Sequence, residues 1–218
     1  MEVVTPKGLL LHIPDCPRRL FAYGDVSLLA KESITIVGTR SITQYGRSVI
    51  SHFLGSFLRK LDIAVVSGLA RGVDGYVHKL CLQRGIKTIG VVPGGIDSAI
   101  PSENREVCQR MVRENLVLAE YPEGIKMNKY MFVQRNRILA GMSKSTIVIE
   151  AGENSGSLTT AKLALDYNRE VYVVPGNIFS PLSLGCNILA REGANILTSM
   201  SDFQEVVGIF NDQRRIFF

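Results

Sequence analysis

From residue 34 onward the chain repeats one unit: a short run of β-branched and aliphatic residues, a loop, then a longer amphipathic stretch. The apolar runs are 34–37, 63–66, 88–92, 116–118, 146–149 and 171–174, and helical periodicity falls at about 45–60, 72–84, 103–114, 131–142 and 157–167. The runs are apolar at almost every position rather than at alternate ones, as parallel strands buried on both faces should be. Strand–helix repetition of this kind predicts an α/β fold with a mostly parallel, doubly wound sheet.

The organisation follows from the same pattern. Residues 1–33, punctuated at Pro14 and Pro17, read as a lead-in segment packed on the core. Residues 34–207 form the expected domain, with one or two further helices in 184–207. Residues 208–218 have no legible pattern and read as a tail. A single hydrophobic core of this size is ordinary for 218 residues.

Two compositional facts narrow the function. The four cysteines (Cys16, Cys81, Cys108 and Cys186) are far apart with no CxxC, and with only three histidines there is no metal-ligand spacing. The cysteines therefore read as small core hydrophobes of a reducing, cytoplasmic protein, with no metal, no cofactor and no membrane span expected. Lys and Arg exceed Asp and Glu by 25 to 20, a net charge of +5. That balance is compatible with an anionic partner without demonstrating one.

Ligands of such sheets bind beyond the carboxyl ends of the strands, which directs attention to three loops. The first is Gly38-Thr39-Arg40-Ser41, the second Ser67-Gly68-Leu69-Ala70-Arg71-Gly72-Val73-Asp74, and the third Glu150 to Ala161, containing Ser155-Gly156-Ser157. Glycines let backbone N–H groups approach a ligand, and a following helix N-terminus favours phosphate. Arg40 and Arg71 would add two guanidinium forks at the same edge. The same glycines would also serve tight strand-to-helix turns with no ligand. Asp74 reads equally as a helix-side cap or as the partner of Arg71, and Ser157 as an N-cap.

The stretch 124–149 carries Lys126, Lys129, Arg135, Arg137 and Lys144 without one Asp or Glu, so its charge equals the net charge of the chain. Tyr130 and Phe132 are interleaved, the pairing of cation and ring that single-stranded nucleic acid requires. Phe132, Arg135 and Asn136 would share a helix face. A solvated helix with Phe132 in the core is the plainer reading of the same residues.

Enzyme signatures are missing: there is no GxGxxG, no GxxxxGK[ST] and no GxSxG. Pro93-Gly94-Gly95 is similar to the lysine-decarboxylase-like phosphoribohydrolases, but their Gly-Thr continuation is replaced by Ile96-Asp97-Ser98. The alternative reading, a nucleotide-metabolising enzyme of that type, would rest on Glu120 and Glu150. No catalytic residue is otherwise evident, and the chain reads as a binding protein.

The ordered set Gly38-Thr39-Arg40, Ser67 to Asp74 with His78, Glu120-Tyr121-Pro122, Phe132 to Gly141, Ser155-Gly156-Ser157, Val174-Pro175-Gly176 and Gly185-Cys186-Asn187 resembles the DNA-processing protein A (DprA, or Smf) family, over about residues 14 to 207. The resemblance implies an extended Rossmann-like three-layer domain that binds single-stranded DNA. It also implies a homodimer, for which the apolar residues Ile188, Leu189, Ile196, Leu197 and Phe203 in the C-terminal part of the domain read as the surface. The family's role is to help load RecA recombinase in natural transformation, without catalysis. Carried over by motif, its DNA contacts are Arg40, Ser41, Lys129, Phe132, Arg135, Arg137 and Ser155 to Ser157. Gly38, Thr39, Ser67, Gly68, Arg71 and Asn136 complete the expected surface. Many relatives carry a small domain before or after this one, for which 218 residues leave no room; Arg214 to Phe218 suggests a short or truncated member.

Overall fold

A computed structural model describes residues 1–208. In chain order it contains β1 (Glu2–Val4), β2 (Leu20–Gly24), β3 (Glu32–Val37), α1 (Gln44–Phe53), β4 (Ile63–Ser67), α2 (Val73–Arg84), β5 (Thr88–Val92), the short α3 (Ile96–Ala99) and α4 (Arg105–Glu114). There follow β6 (Leu116–Ala119), α5 (Lys129–Met142), β7 (Ser145–Val148), α6 (Gly156–Asp166), β8 (Glu170–Val173), α7 (Leu184–Arg191), β9 (Asn195–Ile196) and α8 (Met200–Val206). Apart from Gly208, the expected tail lies outside the described residues.

The strands form one sheet in the order β1-β2-β6-β5-β4-β3-β7-β8-β9. Every pairing is parallel except β1 with β2 and β2 with β6. The doubly wound α/β fold is thus observed, and the six expected parallel strands are all present. Three strands were not legible: β1 and β2, which draw the lead-in into the sheet itself, and the two-residue β9.

Alternate residues of each central strand feed two separate cores, which is why the runs are apolar throughout. Ile34, Ile36, Val65 and Ile147 pack with Ile50 of α1, Val77 of α2 and Phe203 of α8. Val37, Val66 and Val148 pack on the other face with Leu139 of α5, Ala161 of α6 and Leu189 of α7. The sheet is therefore the middle of three layers. Leu189, Leu197 and Phe203, expected at a dimer surface, are core residues; of that group only Ile196 is exposed, with Ile188 intermediate.

The order of strands matters for the site. From β3 the chain steps outward through β4, β5 and β6, then returns to place β7 against the other side of β3. The switch point therefore lies between β3 and β7, where the flanking connections run to opposite faces and leave a crevice.

Candidate nucleic-acid interface

The two loops that leave β3 and β7 are the first and third glycine loops of the sequence. They are held together by the Thr39 N–H, which donates to the Glu150 carbonyl at 2.7 Å. Between them, the start of α6 and one face of α5 lies a cleft of about 530 Å³. Among its lining residues are Gly38, Thr39, Arg40, Phe132, Arg135, Asn136, Ser155, Gly156 and Ser157. Nine of the fifteen expected site residues thus meet in one place.

Each wall is built locally. Thr39 Oγ1 accepts the Ser41 N–H at 3.1 Å and shapes the turn that carries Arg40 into solvent. Asn128 caps α5 by accepting the Met131 N–H at 3.1 Å, leaving Lys129 exposed in the first turn and Phe132 half-buried. The Arg40 guanidinium lies over the Phe132 ring, 5.5 Å from its centroid. A cation and an aromatic face are thereby presented at one point of the cleft. Ser155, not Ser157, is the N-cap of α6, and its hydroxyl meets that of Ser157 at 2.7 Å. The positive end of the α6 dipole opens beside them.

The glycines divide into two kinds. A Cβ on Gly38 would lie 2.6 Å from Val73 Cγ2, and one on Gly68 would collide with the side chains of Arg135 and Asp74. Both answer to packing within the protein. A Cβ on Gly156 would meet nothing within 4 Å, so there the space is on the cleft side.

Several expected residues, the buried Arg135 of the cleft wall among them, are engaged within the protein. Ser67 is buried and donates to the Ile36 carbonyl at 2.6 Å. Arg71 is exposed outside the cleft, with its Nε 2.8 Å from Glu103 Oε1; Asp74 is not its partner. Arg135 reaches the cleft wall but is only 6% exposed, and its Nη1 donates to the carbonyls of Gly68 and Val91, both at 2.7 Å. Burial lowers its pKa, opposed by the charge of Asp74, whose own carboxyl is raised by burial. Arg137 turns toward the lead-in, its Nη2 2.5 Å from Glu120 Oε1 and its Nε 3.3 Å from Asp15 Oδ2. Lys144 pairs with Glu32 at the opposite edge of the sheet. Of the five charges in 124–149, Lys126 and Lys129 are the exposed pair ahead of and within the first turn of α5.

The carboxylates needed for the enzyme reading are engaged too. Glu120 holds Arg137, and the buried Glu150 accepts from the Thr43 N–H at 3.0 Å and the Thr43 hydroxyl at 2.5 Å, securing the start of α1. Sequence reasoning missed Leu182 in the cleft wall. Leu182 arrives from the loop after β8, whose signal was the Val174-Pro175-Gly176 turn behind a strand. Among the described residues no helix is long and apolar enough to cross a membrane.

Comparison with known proteins points the same way. The family model of DNA recombination-mediator protein A matches residues 5–208. The DNA processing protein DprA of Bacillus subtilis is 42% identical over 197 residues, which are 90% of this chain and 66% of that protein. The crystal structure of DprA from Streptococcus pneumoniae has a TM-score of 0.85 at 37% identity, covering 90% of this chain and 69% of the other. DNA processing protein A from Helicobacter pylori, described for its single-stranded DNA binding mode, has a TM-score of 0.83 at 29% identity, covering 94% and 95%. This chain spans about two thirds of the Bacillus relative's length.

Proposed function

The chain belongs to the DNA recombination-mediator protein A family, and from that premise we propose that it binds single-stranded DNA in the cleft between β3 and β7. The observation that carries this reading is the Arg40 guanidinium set over the Phe132 ring at the mouth of the cleft. Phosphates would sit between Arg40, Lys129 and the N-terminus of α6, while a base turns onto Phe132. A base reaches that ring only with a face free, so the site suits a single strand and not a duplex. Backbone and stacking contacts carry little sequence information, and binding would be almost indifferent to sequence.

In this reading the protein is a recombination mediator of the cytoplasm and has no catalytic step. Its further partners, a second copy of the chain and the RecA recombinase in natural transformation, are supported by family membership. The arginines engaged inside the fold, Arg135 and Arg137, serve to hold α5 and are not assigned contacts to DNA.

The test is fluorescence anisotropy with labelled oligo-dT and a duplex of equal length at several salt concentrations. The single strand is expected to bind more tightly. Its log affinity should fall by about 0.7 per log unit of salt for each phosphate neutralised. Equal affinity for the duplex, or binding indifferent to salt, would overturn the reading.

A further inference from the structure

The loop between β8 and α7 holds two large apolar side chains out in solvent: Phe179 is 86% exposed and Ile178 80%. Its backbone is pinned. The Phe179 N–H donates to Asn177 Oδ1 at 2.9 Å, and the Ser180 N–H donates to the Asn177 carbonyl at 2.9 Å. Asn187 holds the base of the loop, accepting the Gly176 N–H at 3.2 Å and donating to the Gly176 carbonyl at 3.1 Å. A loop fastened in this way presents its apolar tip instead of folding over it.

The position of the tip says what it is for. The loop leaves β8 at the carboxyl edge of the sheet, and its Leu182 lines the cleft. The Ala151 N–H donates to the Leu182 carbonyl at 2.7 Å, so the loop abuts the turn that runs into Ser155 and the start of α6. The tip and the cleft-lining Leu182 thus belong to one short loop, three residues apart in the chain.

We propose that Phe179, flanked by Ile178, is a second stacking platform, which receives a base of the strand beyond the one at Phe132. This rests on the reading of the cleft as a single-strand site. Two side chains at a loop tip offer far less than the roughly 1,000 Å² that a specific protein interface buries, whereas one ring suffices to stack one base. Every base has a π-face, so the platform adds affinity without sequence preference. A strand held at two rings is also held straight between them, which suits a protein that hands single strands on.

The experiment uses the full chain with Phe179→Ala, Phe179→Trp and Phe132→Ala, and oligo-dT carrying 2-aminopurine at successive positions, whose fluorescence is quenched on stacking. Phe179→Ala should weaken binding by about 5-fold or more, the equivalent of one stacked base. It should abolish quenching at one position only and leave the salt dependence unchanged, and Phe179→Trp should restore both affinity and quenching. The side chain is exposed, so the fold should tolerate each change; thermal melting checks this. Wild-type affinity and quenching in Phe179→Ala, with both lost in Phe132→Ala, would overturn the proposal while sparing the cleft. A change in sedimenting mass with unchanged affinity per site would make the tip a self-association contact and overturn it as well. If the wild-type chain binds no single strand, the reading of the cleft itself fails, and this one with it.

Discussion

Arg135 and Asp74 face each other across Gly68: a Cβ on that glycine would run into the guanidinium and the carboxylate together. The pair is buried, and Arg135 also closes the carbonyls of Gly68 and Val91. One side chain thereby joins α5 to the loop after β4 and to strand β5. The glycine of the second loop is accordingly a packing requirement.

Gly68→Ala should destabilise the protein by about 1–3 kcal/mol, the usual range for overpacking a well-filled interior. Urea unfolding followed by circular dichroism measures it. A variant as stable as the wild type would show that the pair can part without cost.

His78 gives the fold a pH dependence. It is fully buried, and Thr88 Oγ1 donates to the Val65 carbonyl at 2.7 Å, which leaves that oxygen to accept from His78 Nδ1 at 2.8 Å. Burial pushes the imidazole pKa down to about 3, with the charge of Arg135 acting in the same direction. An unfolded histidine titrates near 6.5. Between these values the unfolded chain holds the extra proton, so the stability His78 contributes is complete above about pH 6.5 and is lost as the pH falls. Unfolding free energy should drop by about 2–3 kcal/mol between pH 6.5 and 4.5 on this account. His78→Gln should flatten that slope in urea titrations run at each pH; an unchanged slope would assign it to other groups.

Arg137 separates stability from binding. Its guanidinium answers the largely buried Glu120 and also reaches Asp15 in the lead-in. Arg137→Met would strand the Glu120 carboxylate. Glu120 keeps some solvent, so the expected loss is about 2–3 kcal/mol, below the 3–5 of a fully buried pair. That corresponds to a melting temperature lower by roughly 4–12 °C for a chain of this size. Affinity for oligo-dT, measured well below the melting point, should stay at the wild-type value. A selective loss of affinity would return Arg137 to the DNA surface.

What the sequence revealed and what it concealed have physical reasons. The central strands were legible because each feeds two cores and so is apolar throughout, as Ile36 and Val37 are on opposite faces. Strand β2 was hidden because its support is non-local: Phe21 and Ala22 pair with Ala119 and Leu118, far along the chain and after a stretch rich in proline. The glycine loops after β3 and β7 were legible as loops leaving strands, but that these two of the three meet was not, because it depends on the strand order that sets β7 beside β3. The fate of the charges was not legible either. Arg135, Asn136 and Arg137 are consecutive and all buried, since α5 is covered by the sheet, by α6 and by the lead-in. Counting cations along a segment gives their sum and does not say which turn inward. Arg40, outside that segment, is the cation that meets Phe132.

The arginines after β3 and β4 make the sharpest comparison. Both follow a parallel strand and a glycine, and both are exposed. Arg40 stands over Phe132 within the cleft, whereas Arg71 lies outside it, paired with Glu103. An exposed ion pair of that kind contributes little to stability, so neither alanine variant should alter the melting temperature by much. Arg40→Ala should weaken oligo-dT binding and reduce the magnitude of its salt slope by about 0.7, one phosphate contact. Phe132→Ala should cost about 1–3 kcal/mol of affinity while leaving the slope intact, because a stacked base releases no counterion. Arg71→Ala should change neither quantity. Anisotropy titrations of the three variants across salt concentrations resolve the pattern. Equal effects at Arg40 and Arg71 would mean that the strand follows the whole carboxyl edge of the sheet, past β4, instead of seating at the switch point.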